Sequence, residues 1–381
     1  MENEWRTRLG YNPGPMRRIA LINQKGGVGK TTVTVNLGAA LALAGKRVVV
    51  VDLDPQANLT LYLGVELPPD APSSYRVLTG EVSFGAALWA TSTPNLRLLP
   101  TDIHLSGAEL ELSAAEGREA LLRGALEAWR SEHREKHAGE EPADYVLFDC
   151  PPSLGLLSLN ALSAADEVFL VVQTQFLALQ GMSRLVEVID LVKQRLHPGL
   201  RLSGIVPCMY DSRMRLAREV LAELRRYFPA QVFRTSISAN VKLAESPSFG
   251  KTIFEYAPES IGARDFALLS HEVLTQEVLA RLEPVLPEPI AKPAAKPAPA
   301  TLEKAQAAKG KRRTVLEPVR PAPAPVPPPA ASPVGRAKPA PRPLTVQPAQ
   351  AVPAPPAVAP PLEPAALAAA PRRARAKPAT S

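Results

Sequence analysis

The sequence predicts an α/β fold: a parallel twisted sheet flanked by helices and followed by a disordered tail. Three observations predict it. Between residues 17 and 286, short apolar runs alternate with helical stretches, the order that βαβ units produce. The run "RVVVVDLD" (47–54) is β-branched without alternation, as in a strand buried on both faces. A glycine-rich turn, "NQKGGVGKTT" (23–32), stands between the first apolar run and the first helix.

The elements follow in order. "RRIALINQ" (17–24) reads as a strand, and 31–44 as a helix that stops at Gly45, a residue suited to a left-handed C-cap. After the strand 47–54 comes a weaker one, "NLRLLP" (95–100), then a charged and mostly helical stretch, 106–134. "DYVLFDCPP" (144–152) is a buried strand stopped by prolines. "EVFLVVQT" (167–174), "RLSGIVPCM" (201–209) and "QVFRTSI" (231–237) are further strands, with helices between them at 182–196 and 213–227. A last helix covers 264–282.

Composition divides the chain. Residues 287–381 hold 25 of the 42 prolines and carry a net +11, against +7 for the whole chain, so residues 1–286 are acidic at −4. A basic Pro/Ala-rich segment with almost no aromatics buries too little apolar surface to offset its ordering entropy. The expected organisation is a flexible segment 1–16, one domain 17–286 and a disordered tail 287–381. Two cysteines, Cys150 and Cys208, offer neither a disulfide framework nor a four-ligand metal site. No apolar run approaches the length of a membrane span, and the first 16 residues lack a signal-peptide core, so a cytoplasmic protein is expected.

The glycine-rich turn carries the chemistry. It departs by one residue from the phosphate-loop pattern G-x-x-x-x-G-K-[ST], with Gln24 at the first position. Gly26, Gly27 and Gly29, with Val28 among them, let backbone N–H groups converge on phosphate oxygens without a Cβ clash. The helix that follows adds the partial positive charge of its N-terminus. Lys30 is placed for the β- and γ-phosphates of ATP, Thr31 for Mg²⁺ and Thr32 for the α-phosphate. Asp149 ends a buried apolar strand, where an unpaired carboxylate is costly and Mg²⁺ is the natural partner.

"KGGVGKTT" (25–32) resembles the deviant Walker A signature of the ParA/MinD group of P-loop ATPases. The resemblance implies that Lys25 reaches across a nucleotide-sandwich homodimer to the partner's phosphates, as an arginine finger does. "VVVVDLDPQANLT" (48–60) is similar to the group's second block. That similarity implies that Asp54 orients the attacking water and that Asp52 lies nearer the Mg²⁺ shell. The catalytic set is then Lys25, Lys30 and Asp54. Residues 25–32 with Asp54 bind the nucleotide, and Thr31, Asp52 and Asp149 serve the metal. "YVLFDCPPSLG" (145–155) reads as Walker B and a second switch hinged at Gly155.

Residues 208–256 resemble the Soj-like, chromosomal ParA branch, whose basic residues here bind DNA without reading sequence. Arg213, Arg215, Arg218, Lys242 and Lys251 supply the cations, the first four being the candidate DNA contacts, with Glu219 and Glu223 interleaved. "ISAN" (237–240) places Ser238 and Ala239 where that branch often has proline and arginine, the resemblance implying that this proline region lies near the adenine, and Glu259 and Ile261 also stand where arginines are usual. The resemblance implies an ATPase that dimerises with ATP, binds nucleoid DNA and is stimulated by a ParB-like protein. Its task would be to segregate chromosome or plasmid DNA. The alternatives are a positioner of other cargo, such as chemoreceptor clusters, and a MinD-like membrane positioner. The latter needs a basic amphipathic C-terminal helix, whereas 270–286 is acidic on its polar side.

The cationic tail generates a test. Truncation at Pro287 is expected to weaken DNA binding with ATP present and to flatten its salt dependence by roughly 0.9 log units per log unit of salt for each phosphate that the tail neutralises. Superimposable salt curves for the two forms would assign the whole interaction to residues 1–286.

Overall fold

The computed structural model describes residues 15–175 and 178–282. The tail 287–381, the domain's expected end at 286 and residues 1–14 of the flexible segment lie outside them. Met16, counted in that segment, is buried in the core at 5% exposure.

Six parallel strands form the body of the sheet: β1 (Arg17–Ile22), β2 (Val48–Asp52), β4 (Leu96–Leu99), β5 (Tyr145–Asp149), β6 (Glu167–Gln173) and β7 (Arg201–Cys208). A two-residue strand, β3 (Trp89–Ala90), pairs antiparallel with β4 and makes one edge. The order is β3-β4-β2-β5-β1-β6-β7. Helix α1 (Lys30–Leu43) joins β1 to β2 and ends as expected, with Gly45 at φ 82° and its N–H donating to the Ala42 carbonyl at 3.0 Å.

Alternation along each strand builds two cores. Val49, Val51, Phe148 and Leu170 face one side, which is covered by helices carrying Leu126, Leu162 and Ile189. Val50, Leu147 and Phe169 face the other, with Leu37 and Leu41 of α1 and Phe266, Leu269 and Val273 of the last helix. Burial on both faces is why the strands read as unbroken apolar runs. At the rim, Arg17 pairs with buried Glu167 at 2.8 Å and donates to the Val273 carbonyl at 2.9 Å.

The stretch 106–134 is mostly helical, as expected, but is broken into two helices, Leu105–Glu111 and Leu121–Lys136, with Gly117 at φ 66° between them. Asn160 holds the break, accepting the Leu122 N–H at 3.0 Å and donating to the Arg118 carbonyl at 2.8 Å. The helix expected at 213–227 begins at Arg215, because the Asp211 carboxylate takes the Arg213 N–H at 2.9 Å and holds a turn. The segment 231–237 is not a strand. It forms no continuous ladder with β7: one isolated bridge joins Ile205 to Val232, the Ile237 N–H donates to the Pro207 carbonyl at 2.8 Å, and a second bridge joins Tyr210 to Ser238 beyond the strand's end. Pro207 of β7 has no N–H to continue a ladder. The N–H groups of Arg234 and Thr235 donate instead to Glu272, at 2.9 and 2.7 Å.

Phe233 of that segment packs edge to face on Phe169 of β6, with centroids 5.2 Å apart, directly over Gly204 of β7. A Cβ on Gly204 would lie 2.6 Å from atoms of both rings. Gly204→Ala is therefore expected to lower stability by about 1–3 kcal/mol through overpacking. The check is a lower urea midpoint at unchanged slope, and a stabilised variant would contradict the packing argument.

Candidate nucleotide-binding site

The carboxyl ends of β1, β2 and β5 meet at one edge, where ligands of open α/β sheets bind. From Ile22 the chain turns through Gln24–Gly29 into α1. Gly27 and Gly29 have φ of 71° and 96°, a region that strains other residues. Cβ atoms built on Gly26, Gly27 or Gly29 meet nothing within 4 Å, so the loop is an open cradle of backbone. Val28 is buried beside it, and Lys30 opens α1 at 7% exposure.

Beneath the cradle, Asp149 is wholly buried. Thr31 Oγ1 donates to its Oδ2 at 2.7 Å and Thr34 Oγ1 to its Oδ1 at 3.2 Å. Asp52 is its neighbour in register on β2 and is equally buried. Asp52 Oδ2 accepts the N–H and hydroxyl of Thr60 at 2.9 and 2.7 Å, and its Oδ1 accepts the Asp54 N–H at 3.2 Å. Asp54 follows at 8% exposure, with Oδ1 accepting the Gln56 N–H at 3.0 Å, the turn-capping bond a carboxylate makes there. Burial pushes Asp52 up to about 7 and Asp149 up to about 8, the latter also raised by the charge of Asp52 and lowered by Thr31 and Lys30.

Among the described residues, no group of three or more His, Cys, Asp or Glu side chains is arranged to hold a metal. The oxygens of Thr31 and Asp149 suit instead a hard cation that takes its remaining ligands from water and phosphate, as Mg²⁺ does. Asp52, with both oxygens accepting from the loop, anchors residues 54–60.

The structure thus brings Lys30, Thr31, Asp52, Asp54 and Asp149 to one edge. Lys25 lies apart from them. Its Nζ donates to Gln173, the last residue of β6, and to Gln175 just beyond it, at 3.1 and 3.2 Å, and its N–H donates to Asn23 at 2.9 Å. Thr32, with Val28 and Gly29 of the cradle, lines a cavity of about 120 Å³ that is also walled by Val33, Cys208, Met209, Ile237, Ser238 and Leu243. An apolar slot next to a phosphate cradle suits a flat base. The family resemblance places the region of Ser238 near the adenine; the other wall residues, Val33 of α1 and those from the end of β7, Ile237 and the helix Val241–Glu245, were not assigned from sequence. Ser238 holds that wall through its N–H, which donates to buried Asp265 at 2.9 Å and which a proline could not supply. Cys150 and Cys208 are both buried and free, their thiols raised by burial, which suits packing and not ligation.

The four cations expected to face DNA are exposed at one flank. Arg213 pairs with Asp211 at 2.8 Å, Arg215 with Glu219 at 2.7 Å and Lys242 with Glu245 at 2.9 Å. Arg218 donates to the Ser212 carbonyl at 2.6 Å. The bridge between Tyr210 and Ser238 brings the two loops that lead to Arg213 and Lys242 together. Lys242 also lies over the Tyr256 ring at 5.6 Å, and Tyr256 stacks on exposed Phe249 at 4.8 Å.

The AAA domain family profile matches residues 16–202. The sporulation initiation inhibitor protein Soj of Bacillus subtilis is 44% identical over 255 residues, covering 67% of this chain and 97% of that protein. The chromosome-partitioning ATPase Soj of Thermus thermophilus is 46% identical over 261 residues, covering 68% and 96%. Among solved structures, cobyrinic acid a,c-diamide synthase from Mycobacterium smegmatis with bound ADP and magnesium superposes with a TM-score of 0.59 at 36% identity, over 70% of this chain and 97% of that one.

The buried carboxyls set a pH dependence in nucleotide-free protein kept in chelator. Their folded pKa values stand above the unfolded value of 3.8, so the unfolded chain deprotonates first as pH rises. Their contribution to stability is complete below that value and is lost as pH rises through about 8 for Asp149. Asp149→Asn is expected to remove one carboxyl's share of that slope, at most about 1.4 kcal/mol per pH unit. Urea unfolding from pH 5 to 9 reads it, and parallel profiles for the two proteins would refute the assignment.

Proposed function

The chain belongs to the ParA/Soj family of chromosome-partitioning ATPases, and from that premise we propose that it hydrolyses ATP with Mg²⁺, dimerises around the nucleotide, binds nucleoid DNA without reading sequence and is stimulated by a ParB-like partner. The observation that carries this reading is the placement of Lys30, Thr31 and Asp149 around an open backbone cradle, with Asp54 at the adjacent strand end. The relative that holds ADP and magnesium supports the same ligand pair here. The work of such an ATPase is segregation of chromosomal or plasmid DNA in the cytoplasm.

The residues divide the labour. Backbone N–H groups of 26–30 and the Lys30 ammonium hold the phosphates. Thr31 and Asp149 would hold Mg²⁺, which would supply neutralisation of the phosphate charge. Asp54 accepts a hydrogen bond from the attacking water and orients it, while Asp52 keeps the Asp54 loop in place through Thr60. Lys25, held at the end of β6 by two neutral amides, is available to a second protomer's phosphates at the loss of only uncharged partners. Arg213, Arg215, Arg218 and Lys242 meet DNA phosphates, where exposed local ion pairs are readily exchanged.

A membrane-surface role finds less support. The last helix, α11 of the described chain (Ile261–Leu282), spends Phe266, Leu269 and Val273 on the core, so they are not a lipid-facing stripe.

Substitutions separate the roles. Asp54→Ala is expected to keep ATP binding, accumulate dimer and lose about 10²- to 10⁴-fold in turnover. Lys30→Ala is expected to lose nucleotide binding. Lys25→Ala is expected to bind ATP and remain monomeric, as read by light scattering. An undiminished ATP-dependent dimer in Lys25→Ala, or wild-type turnover in Asp54→Ala, would reject the corresponding role.

A further inference from the structure

Three buried polar side chains have no part in the chemistry above. They are Asn36 on α1, Tyr62 at the end of the short helix Asn58–Tyr62, and Ser246, which opens the 3-10 turn Ser246–Phe249. Their exposures are 0, 2 and 0%. They form one hydrogen-bonded set. Asn36 Nδ2 donates to the Tyr62 hydroxyl at 2.9 Å and to the Thr32 carbonyl at 2.8 Å. The Tyr62 hydroxyl pairs with Ser246 Oγ at 2.8 Å. Asn36 Oδ1 accepts the Ile253 N–H at 2.7 Å.

Each member comes from a different functional segment. Thr32 belongs to the phosphate loop's first helical turn. Tyr62 shares its helix with Thr60, whose two bonds to Asp52 tie it to the buried carboxyl pair. Ser246 follows directly on the helix Val241–Glu245, which carries Lys242. The same two segments also touch through backbone alone. A Cβ on Gly250 would lie 2.8 Å from Gly64 Cα, and one on Gly64 would lie 3.1 Å from the Gly250 carbonyl oxygen. The stretch 246–253 is therefore fastened to the nucleotide side at three points: Tyr62 to Ser246, Gly64 to Gly250, and Asn36 to Ile253.

We propose that Tyr62 is a positioning residue that carries a rearrangement of the Asp54–Thr60 loop, through its hydroxyl and Ser246, to the cationic segment 241–256. The proposal rests on the reading of Lys242 and its neighbours as facing DNA. Its physical basis is that a closed, dry set of hydrogen bonds has few alternative arrangements. If the Tyr62 helix shifts with the nucleotide, either Ser246 follows or its buried hydroxyl loses the bond to Tyr62. Moving together is the cheaper response. The link acts within one protomer and does not require that the cations be assembled across a dimer.

The test compares the full-length protein with Tyr62→Phe, Ser246→Ala and the double variant. The first readout is hydrogen–deuterium exchange of amides in 241–256, with and without a non-hydrolysed ATP analogue. Wild type is expected to gain protection there on nucleotide binding, and each variant to lose most of that gain while binding the analogue within about twofold of wild type. The second readout is the ratio of DNA affinities in the ATP-analogue and ADP states, expected to fall at least about fivefold in each single variant. Because both substitutions remove the same hydrogen bond, the double variant should fall no further than the singles. Additive losses, or variants that keep the wild-type protection and ratio, would overturn the proposal, as would a wild type whose 241–256 amides ignore nucleotide. A wild type that binds no DNA in either state would reject the DNA reading of the segment, and the exchange data would still decide the coupling.

Discussion

Two carboxyl groups, Asp52 and Asp149, lie side by side at the ends of adjacent strands, both wholly out of water. Burial and mutual repulsion oppose their ionisation, and the surrounding structure is arranged to meet them. Asp52 is met by Thr60 and the Asp54 N–H, which orders the loop between β2 and the next helix. Asp149 is met by Thr31 and Thr34, which orders the first turns of α1 and so the glycine loop before it. The electrostatic strain that makes this edge receptive to a cation therefore also aligns both loops around it.

A second set of carboxylates organises the β7 side of the sheet. Glu272 and Asp265 of α11 accept backbone N–H groups of Arg234, Thr235 and Ser238. They replace the ladder that Pro207 interrupts. The segment that reads as an eighth strand becomes instead a wall of the apolar slot beside the phosphate cradle. Glu277 of the same helix accepts the Tyr145 hydroxyl at 2.6 Å, and Arg17 of β1 donates to the Val273 carbonyl. One helix thus clamps both the rim of the sheet and the slot. This explains why its apolar residues are spent on the core.

The difference between what was legible and what was not follows from the range of the forces involved. The parallel strands were legible because burial on both faces demands continuous apolar runs, as in Val48–Val51. The phosphate loop was legible because Gly27 and Gly29 occupy backbone angles that few other residues tolerate. The false strand at 231–237 and the break at Gly117 were not legible, because their deciding partners, Glu272 and Asn160, are 37 and 38 residues away from Thr235 and Leu122. The two-residue strand β3 is too short to leave a pattern. Asn36, Tyr62 and Ser246 each read as an unremarked polar residue until the fold joins positions 184 residues apart.

The sequence by itself determined the class of fold, the phosphate loop and the carboxylates at the strand ends. These depend on local backbone geometry and on the period of apolar residues, both of which are written in consecutive positions. Only the tertiary structure decided that Lys25 rests on Gln173 and Gln175, that Asp52 anchors a loop, and that the slot is walled by β7 and the 237–240 turn. Hydrogen bonds between distant segments leave no periodic trace in the chain. Their geometry exists only once the two cores have packed against the sheet and fixed which residues share an edge.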